Sequence, residues 1–329
     1  MANNFALPVY PYDKDKNTLL KAILPFMIIV HHIYTHFNVH CYHFIGGLCG
    51  DPAMYAFFAM SGYGLVSCYF NRVNYLDGFL KKSFLKLFIP YLTVLATYII
   101  YQWTQGNPPL VFLSNTWFFN LVPTSWFLFC LALFYLFFYV VFKYINTTNF
   151  KRILIVSALV LAYYTFMYTI SAPMHSYHRC PAFCVGMLVA CYDKRIQEEI
   201  TRKQAFVSLI VFATLSAAIT VYLSLPNPIF AKSLRFSLSI IESILLFSAL
   251  YFIPKIPSNC ITRFVSSISL EMFILQSIAI NLIGELMDYE SSILAVLLVF
   301  AIDIILAYPI NKLDNLIIGK ISALSKQQQ

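Results

Sequence analysis

Residues 19–37 read LLKAILPFMIIVHHIYTHF. The stretch is as long as a bilayer core asks of a helix, about 20 residues, and its polar groups sit at Lys21 and at the histidine-bearing end. At about 100° per residue, the eleven steps from Lys21 to His32 return to within roughly 20° of the starting direction and climb roughly 16 Å. The spacing predicts a cation near one membrane surface, in line with an imidazole deep in the bilayer. Five of the seven histidines, His31, His32, His36, His40 and His43, fall in this helix or its exit. Ionisable groups are costly in lipid and usually face a polar cavity, so function is sought first on this helix.

The rest of the chain has the same character. Of 329 residues, 60% are hydrophobic and 11% charged, against about 25% charged in a soluble domain. Spans are expected near 19–37, 52–70, 88–103, 125–144, 152–170, 180–192, 205–224, 236–253, 264–286 and 292–311. The expected fold is an all-α integral membrane protein, a single bundle of about ten transmembrane helices. Residues 1–18 form an N-terminal segment, 19–311 the membrane domain and 312–329 a tail. The sixth span is the shortest, with Pro173, Pro181 and the polar run MHSYHR near its start, which suits a partial or tilted crossing. The opening MANNFALPVYPYDKDKN lacks the short apolar core of a cleavable signal, so the first span is expected to stay.

The net charge of +8 is a matter of placement. Nineteen of the 22 Lys and Arg fall in the N-terminal segment, the even-to-odd loops and the tail. The opposite loops hold only Arg179, Lys232 and Arg235. By the positive-inside rule both termini are expected in the cytoplasm of a plasma (inner) membrane protein, with membrane lipids as the partner of its basic loops and no nucleic acid. The same assignment puts all seven histidines in the outer half of the membrane or beyond. The eight cysteines show no metal-ligand spacing; Cys41 and Cys49 share one loop, where pairing depends on the compartment.

Several side chains carry a chemical reading beside a structural one. In a semi-dry cavity, neutral His32 can take a proton from a hydroxyl as that oxygen attacks an acyl group; otherwise it is a hydrogen-bonded helix-end residue. His31, about 100° round the helix, packs or orients its neighbour. His32, His36 and His40 have i, i+4, i+8 spacing, but no acid or cysteine continues that face and no metal is expected. Lys21 either snorkels to lipid phosphates or meets a charged cofactor from the cytoplasm. Lys81, Lys82 and Lys86, in GFLKKSFLKLFIPY, lie on an amphipathic segment that rests on the leaflet or rims a phosphate site. In FFAMSGYG, Gly62 and Gly64 allow close helix approach, and Ser61 and Tyr63 can line a polar path. Trp126 is a belt aromatic or a sugar-stacking surface. Arg179 stands against the orientation rule and calls for a counter-charge or an oxygen-rich ligand. Glu242, Glu271 and Asp303 lie within spans, where they pair with cations, stay protonated or hold the histidine.

The ordered set resembles the acyltransferase-3 family of multi-pass membrane proteins. Lys21, ten intervening residues and His32, with His31 and His36 near, match its first helix. Phe57, Phe58, Ser61, Gly62 and Tyr63 match its second; Lys81, Lys82, Lys86 and Pro90 its basic segment; and Trp126 the opening of its fourth helix. Arg179, Pro181, Phe183 and Gly186, and later Ser269, Leu270, Glu271 and Phe273, complete the series across nearly the whole chain. Two positions depart from the pattern. Lys21 replaces the usual arginine, keeping the charge without the bidentate fork, and Gln276 stands where a late histidine is usual.

The resemblance implies an O-acetyltransferase-like enzyme that moves an acyl group, most often acetyl, from cytoplasmic acyl-CoA to a hydroxyl of a surface or lipid-linked carbohydrate. It implies no tightly bound cofactor, acyl-CoA serving as co-substrate. On this reading His32 and His31 are catalytic, Lys21, Lys81, Lys82 and Lys86 meet the CoA phosphates, and Tyr63, Trp126, Arg179 and Glu271 meet the acceptor. The rival is a carrier or flippase that uses the same polar cavity without chemistry.

Overall fold

The computed structural model describes residues 9–37, 43–109, 121–223, 230–289 and 292–327. Among these it contains eleven α-helices and no strand: α1 Lys14–His36, α2 His43–Asn71, α3 Phe79–Thr104, α4 Trp126–Tyr144, α5 Asn149–Thr169, α6 Pro181–Glu199, α7 Arg202–Leu223, α8 Ala231–Phe252, α9 Cys260–Ser267, α10 Ser269–Leu286 and α11 Ile293–Gln327. Nine of them are long and apolar enough to cross a membrane. The expected sixth span lies in α6, which is outside those nine because its last third, DKRIQEE, is polar. On α7 the apolar window has no buried residue, and Phe206, Ile210 and Val221 stand outward. Such a surface belongs in lipid, and the chain is an all-α multi-pass membrane protein.

Local chemistry explains the ends. Asp13 Oδ1 accepts the backbone N–H of Lys16 at 3.0 Å and caps α1. Thr148 does the same for α5 through Lys151. Ser267 Oγ and Ser269 Oγ donate back to the Phe264 and Ser266 carbonyls, and the chain breaks at Ile268. The expected span 264–286 is therefore two helices, and Glu271 falls in the first turn of α10.

The chain forms two compact units. The first comprises Met1–Leu20, Asp51–Asp77 and Phe137–Asn259; the second comprises Lys21–Gly50, Gly78–Leu136 and Cys260–Gln329.

In the first unit α2 and α6 run parallel and cross backbone to backbone. A Cβ built on Gly62 would fall 2.1 Å from the Phe183 carbonyl oxygen, and one on Gly186 would fall 1.9 Å from that of Ala59. Neither backbone can yield without moving its helix. Gly62→Ala and Gly186→Ala are each expected to cost about 1–3 kcal/mol or more by overpacking, read as lost thermal stability of the purified protein. Gly64→Ala, with nothing within 4 Å of its would-be Cβ, is the control and changes little. Antiparallel α7 is joined to α8 by Ser208–Ser248 at 2.7 Å and Ser216–Glu242 at 2.8 Å. At the end where α2, α6 and α8 finish, the Tyr251 hydroxyl donates to Asp193, Arg152 donates to the Tyr69 hydroxyl at 2.9 Å, and buried Lys16 donates to the Leu250 carbonyl.

In the second unit α10 is the buried element, with Met272, Ile274, Leu275 and Ala279 withdrawn from the surface. It packs with α3 and α11. Thr93 donates to Asp314 at 2.7 Å, and the Tyr101 hydroxyl to Glu285 at 3.4 Å. At 35 residues, α11 runs about 52 Å, past a bilayer core of about 30 Å, so residues expected as a tail from 312 onward continue the helix.

Candidate functional site

The second unit holds residues 21–36 of α1, the part that carries Lys21 and the histidines. On α1 the buried residues Ala22, Leu24, Ile28, Ile29 and Ile33 share an arc whose centre lies near the azimuth of Lys21 and His32. His32 therefore projects along the inward side of α1 and is half-buried, while Lys21 is exposed at the other end of that arc. Between them Pro25 and Ile28 are buried, so the path from cation to imidazole follows apolar side chains. Pro25, inside α1, has no backbone N–H to give to the helix.

His31 is seated on α2. A Cβ on Gly50 would lie 2.5 Å from Cγ and Nδ1 of the imidazole, so only glycine lets the ring approach so closely. The His31 and His32 rings meet edge to face at 5.2 Å, and those of His32 and His36 at 6.2 Å. His36 Nδ1 donates to the His32 carbonyl at 2.8 Å, which fixes it to its own helix. The three rings thus form a row of edge-to-face contacts along α1. His40 and Cys41 lie outside the described residues.

Lys81, Lys82 and Lys86 are exposed on the first turns of α3, with Lys82 and Lys86 one turn apart. Half-buried Trp126 opens α4. Its neighbour Phe127 meets Phe273 of α10 at 5.3 Å, and the Thr124 hydroxyl donates to the Ile274 carbonyl at 3.4 Å. Glu271 is buried; its Oε1 accepts from Asn311 at 2.9 Å and its Oε2 has no partner among the described residues. Gln276 gives its amide N–H to the Phe273 carbonyl at 2.7 Å and leaves Oε1 buried and unpaired. The carboxylate of Asp303 is likewise buried without a partner. One helix thus offers two open acceptor oxygens, at Glu271 and Gln276.

The first unit builds a second polar cluster around Asp51, in α2. Arg179 reaches Asp51 Oδ1 through Nε at 2.9 Å and Nη2 at 2.5 Å, and Arg235 of α8 donates Nη1 to Oδ2 at 3.1 Å. His178 Nε2 lies 3.2 Å from Oδ1, and its Nδ1 donates to the Met174 carbonyl at 2.6 Å. The counter-charge sought for Arg179 is thus Asp51, to which the sequence reading gave no role. Arg235 entered that reading only through its effect on orientation. One signal was available: two cations on the disfavoured side need an acid, and Asp51 immediately precedes the expected span 52–70. Tyr63 does not join them. It is buried between Tyr12, at 4.7 Å, and Phe247, at 5.6 Å, roughly 18 Å along α2 from Asp51.

Comparison with known sequences bears on both units at once. The family described as "Acyltransferase domain", acyltransferase-3, matches residues 18–312. Searches of curated proteins and of solved structures found no match. From the first turns of α1 to the latter part of α11, this multi-pass membrane acyltransferase belongs to the acyltransferase-3 family.

Proposed function

We propose that the chain transfers an acyl group, acetyl in the simplest case, from cytoplasmic acyl-CoA to a hydroxyl of a surface or lipid-linked carbohydrate at the plasma (inner) membrane. The observation that carries this reading is His32, half-buried on the inward arc of α1 and braced by a His31 ring seated on Gly50.

His32 takes the proton of the acceptor hydroxyl as its oxygen attacks the thioester carbonyl; the C–S bond breaks and the thiolate leaves and is protonated. In the two-step variant the imidazole itself attacks, carries the acyl group and passes it to the hydroxyl. Lys21, Lys81, Lys82 and Lys86 meet the CoA phosphates, and no tightly bound cofactor is needed. The pantetheine arm then runs along the apolar side chains between Lys21 and His32, beside Pro25 and Ile28. On the acceptor side, Trp126 stacks on sugar, and Glu271 offers its open oxygen to a hydroxyl. Arg179 acts with its partner Asp51. Tyr63, packed among aromatic rings, shapes the far end of α2.

Two measurements test the reading. Acyl-CoA should be consumed in step with carbohydrate acylation by the reconstituted full chain; movement of carbohydrate across the vesicle wall without acyl-CoA would instead favour the carrier. Lys21→Ala should raise KM for acyl-CoA about tenfold, the worth of one charge-assisted hydrogen bond of about 1.5 kcal/mol, with little change in kcat. Lys21→Arg should retain the wild-type KM. A Lys21→Ala effect confined to acceptor preference would remove the proposed phosphate contact.

A further inference from the structure

Asp51 gathers more positive charge than it neutralises. Two guanidiniums and one carboxylate leave a net positive charge. The His178 ring closes the cluster, Nδ1 donating to the Met174 carbonyl at 2.6 Å and Nε2 lying 3.2 Å from Asp51 Oδ1. Arg235 is the more open of the two arginines, with 30% of its side chain exposed against 12% for Arg179. Among the described residues its one hydrogen bond is the Nη1 contact to Asp51, so most of its five donors remain available.

A second observation comes from the interior. Tyr55 lies one turn beyond Asp51 on the same face of α2 and is fully buried, yet among the described residues its hydroxyl has no hydrogen-bond partner. Its ring stands edge-on to His178 at 6.3 Å, within electrostatic reach of Asp51, Arg179, Arg235 and Glu242. A buried hydroxyl left unpaired costs about 1–3 kcal/mol unless something fills the position. Glu242, two turns along α8 from Arg235, bonds Ser216 through Oε1 and leaves Oε2 buried and open. Donors thus crowd the Asp51 end of the cluster, and the acceptor lies deeper.

We infer that the first unit holds an oxyanion site in which Arg235 and the Tyr55 hydroxyl supply the donors, Arg179 supplies further positive charge, and the ligand is a phosphate or carboxylate on the acceptor carbohydrate. Glu242 Oε2 accepts a hydroxyl of the same sugar. The inference rests on the acyl-transfer reading only in naming the bearer of the anion. It makes the acceptor an acidic one, either a sugar held on a phosphate-linked lipid or a uronic acid.

The test is equilibrium binding to the purified full chain in lipid nanodiscs, without acyl-CoA, using inorganic pyrophosphate, glucuronate and neutral glucose as probes. At least one anion should bind saturably and glucose should not. Arg235→Gln should weaken the anion about tenfold or more, and Tyr55→Phe about fivefold. Pyrophosphate as the sole binder supports the phosphate-linked source, and glucuronate as the sole binder the uronic acid. Arg235→Gln leaves Asp51 paired to Arg179 and His178, and a thermal unfolding midpoint within a few degrees of wild type certifies its fold; Tyr55→Phe serves as the second probe if it does not. No saturable anion binding would overturn the inference. So would affinity unchanged in both variants, or anion binding lost only when Lys82 and Lys86 are replaced by glutamine. With no acyl-CoA present, failure here leaves the acyl-transfer reading standing, and failure of acyl transfer leaves the binding result interpretable.

Discussion

His32→Ala should lower acyl transfer by roughly 10²–10⁴-fold, the range supplied by a positioned general base, with the chain still inserted. The loss belongs in kcat, because the imidazole acts on the proton that moves in the transition state and Lys21, at the other end of the arc, is untouched. Thiol release from acyl-CoA by the purified chain, with carbohydrate present, reads it directly. His31→Ala gives a useful contrast. It empties the seat on Gly50 and lets His32 wander, so it should cost less and should weaken as a more bulky ring is restored at position 31. Equal losses at the two positions would mean that the pair acts as one unit.

Asp51→Ala is the largest effect expected on the fold. It strips the common partner from two guanidiniums and leaves them in like-charge proximity at a site where Asp51 is 20% exposed. Removing one member of a mostly buried ion pair costs about 3–5 kcal/mol, chiefly through the uncompensated charge left behind. A sharp fall in the yield of inserted protein and in its unfolding temperature is therefore expected. The double variant Asp51→Ala with Arg235→Ala should recover part of the loss, because it removes one of the stranded cations; such non-additivity is the mark of contacting residues. A loss below about 1 kcal/mol would show that water solvates the cluster freely.

The membrane class and nine crossings were legible because a run of about twenty apolar residues admits few other structures. The ends of those runs were less legible, and one case is a proline. Pro90 closes the basic segment in the sequence, yet α3 passes through it. In water a proline usually ends a helix; in a membrane bundle neighbouring groups satisfy the freed carbonyl, and the rule weakens. Periodicity placed Lys21 and His32 on one face, and the buried arc of α1 runs along it. It did not show that His31 needs a glycine opposite, since that contact joins residues 31 and 50 through the turn of the chain. The Asp51 cluster was the least legible feature. Its members come from positions 51, 178, 179 and 235, and a single acid carries no periodic signal of its own.

The most direct test of the central claim is mass spectrometry of surface carbohydrate from cells that carry the wild-type chain, the His32→Ala chain at equal abundance in the membrane, or neither. An acyl increment present only with the wild-type chain is the expected result. The same acylation in the wild-type and His32→Ala cells would contradict it.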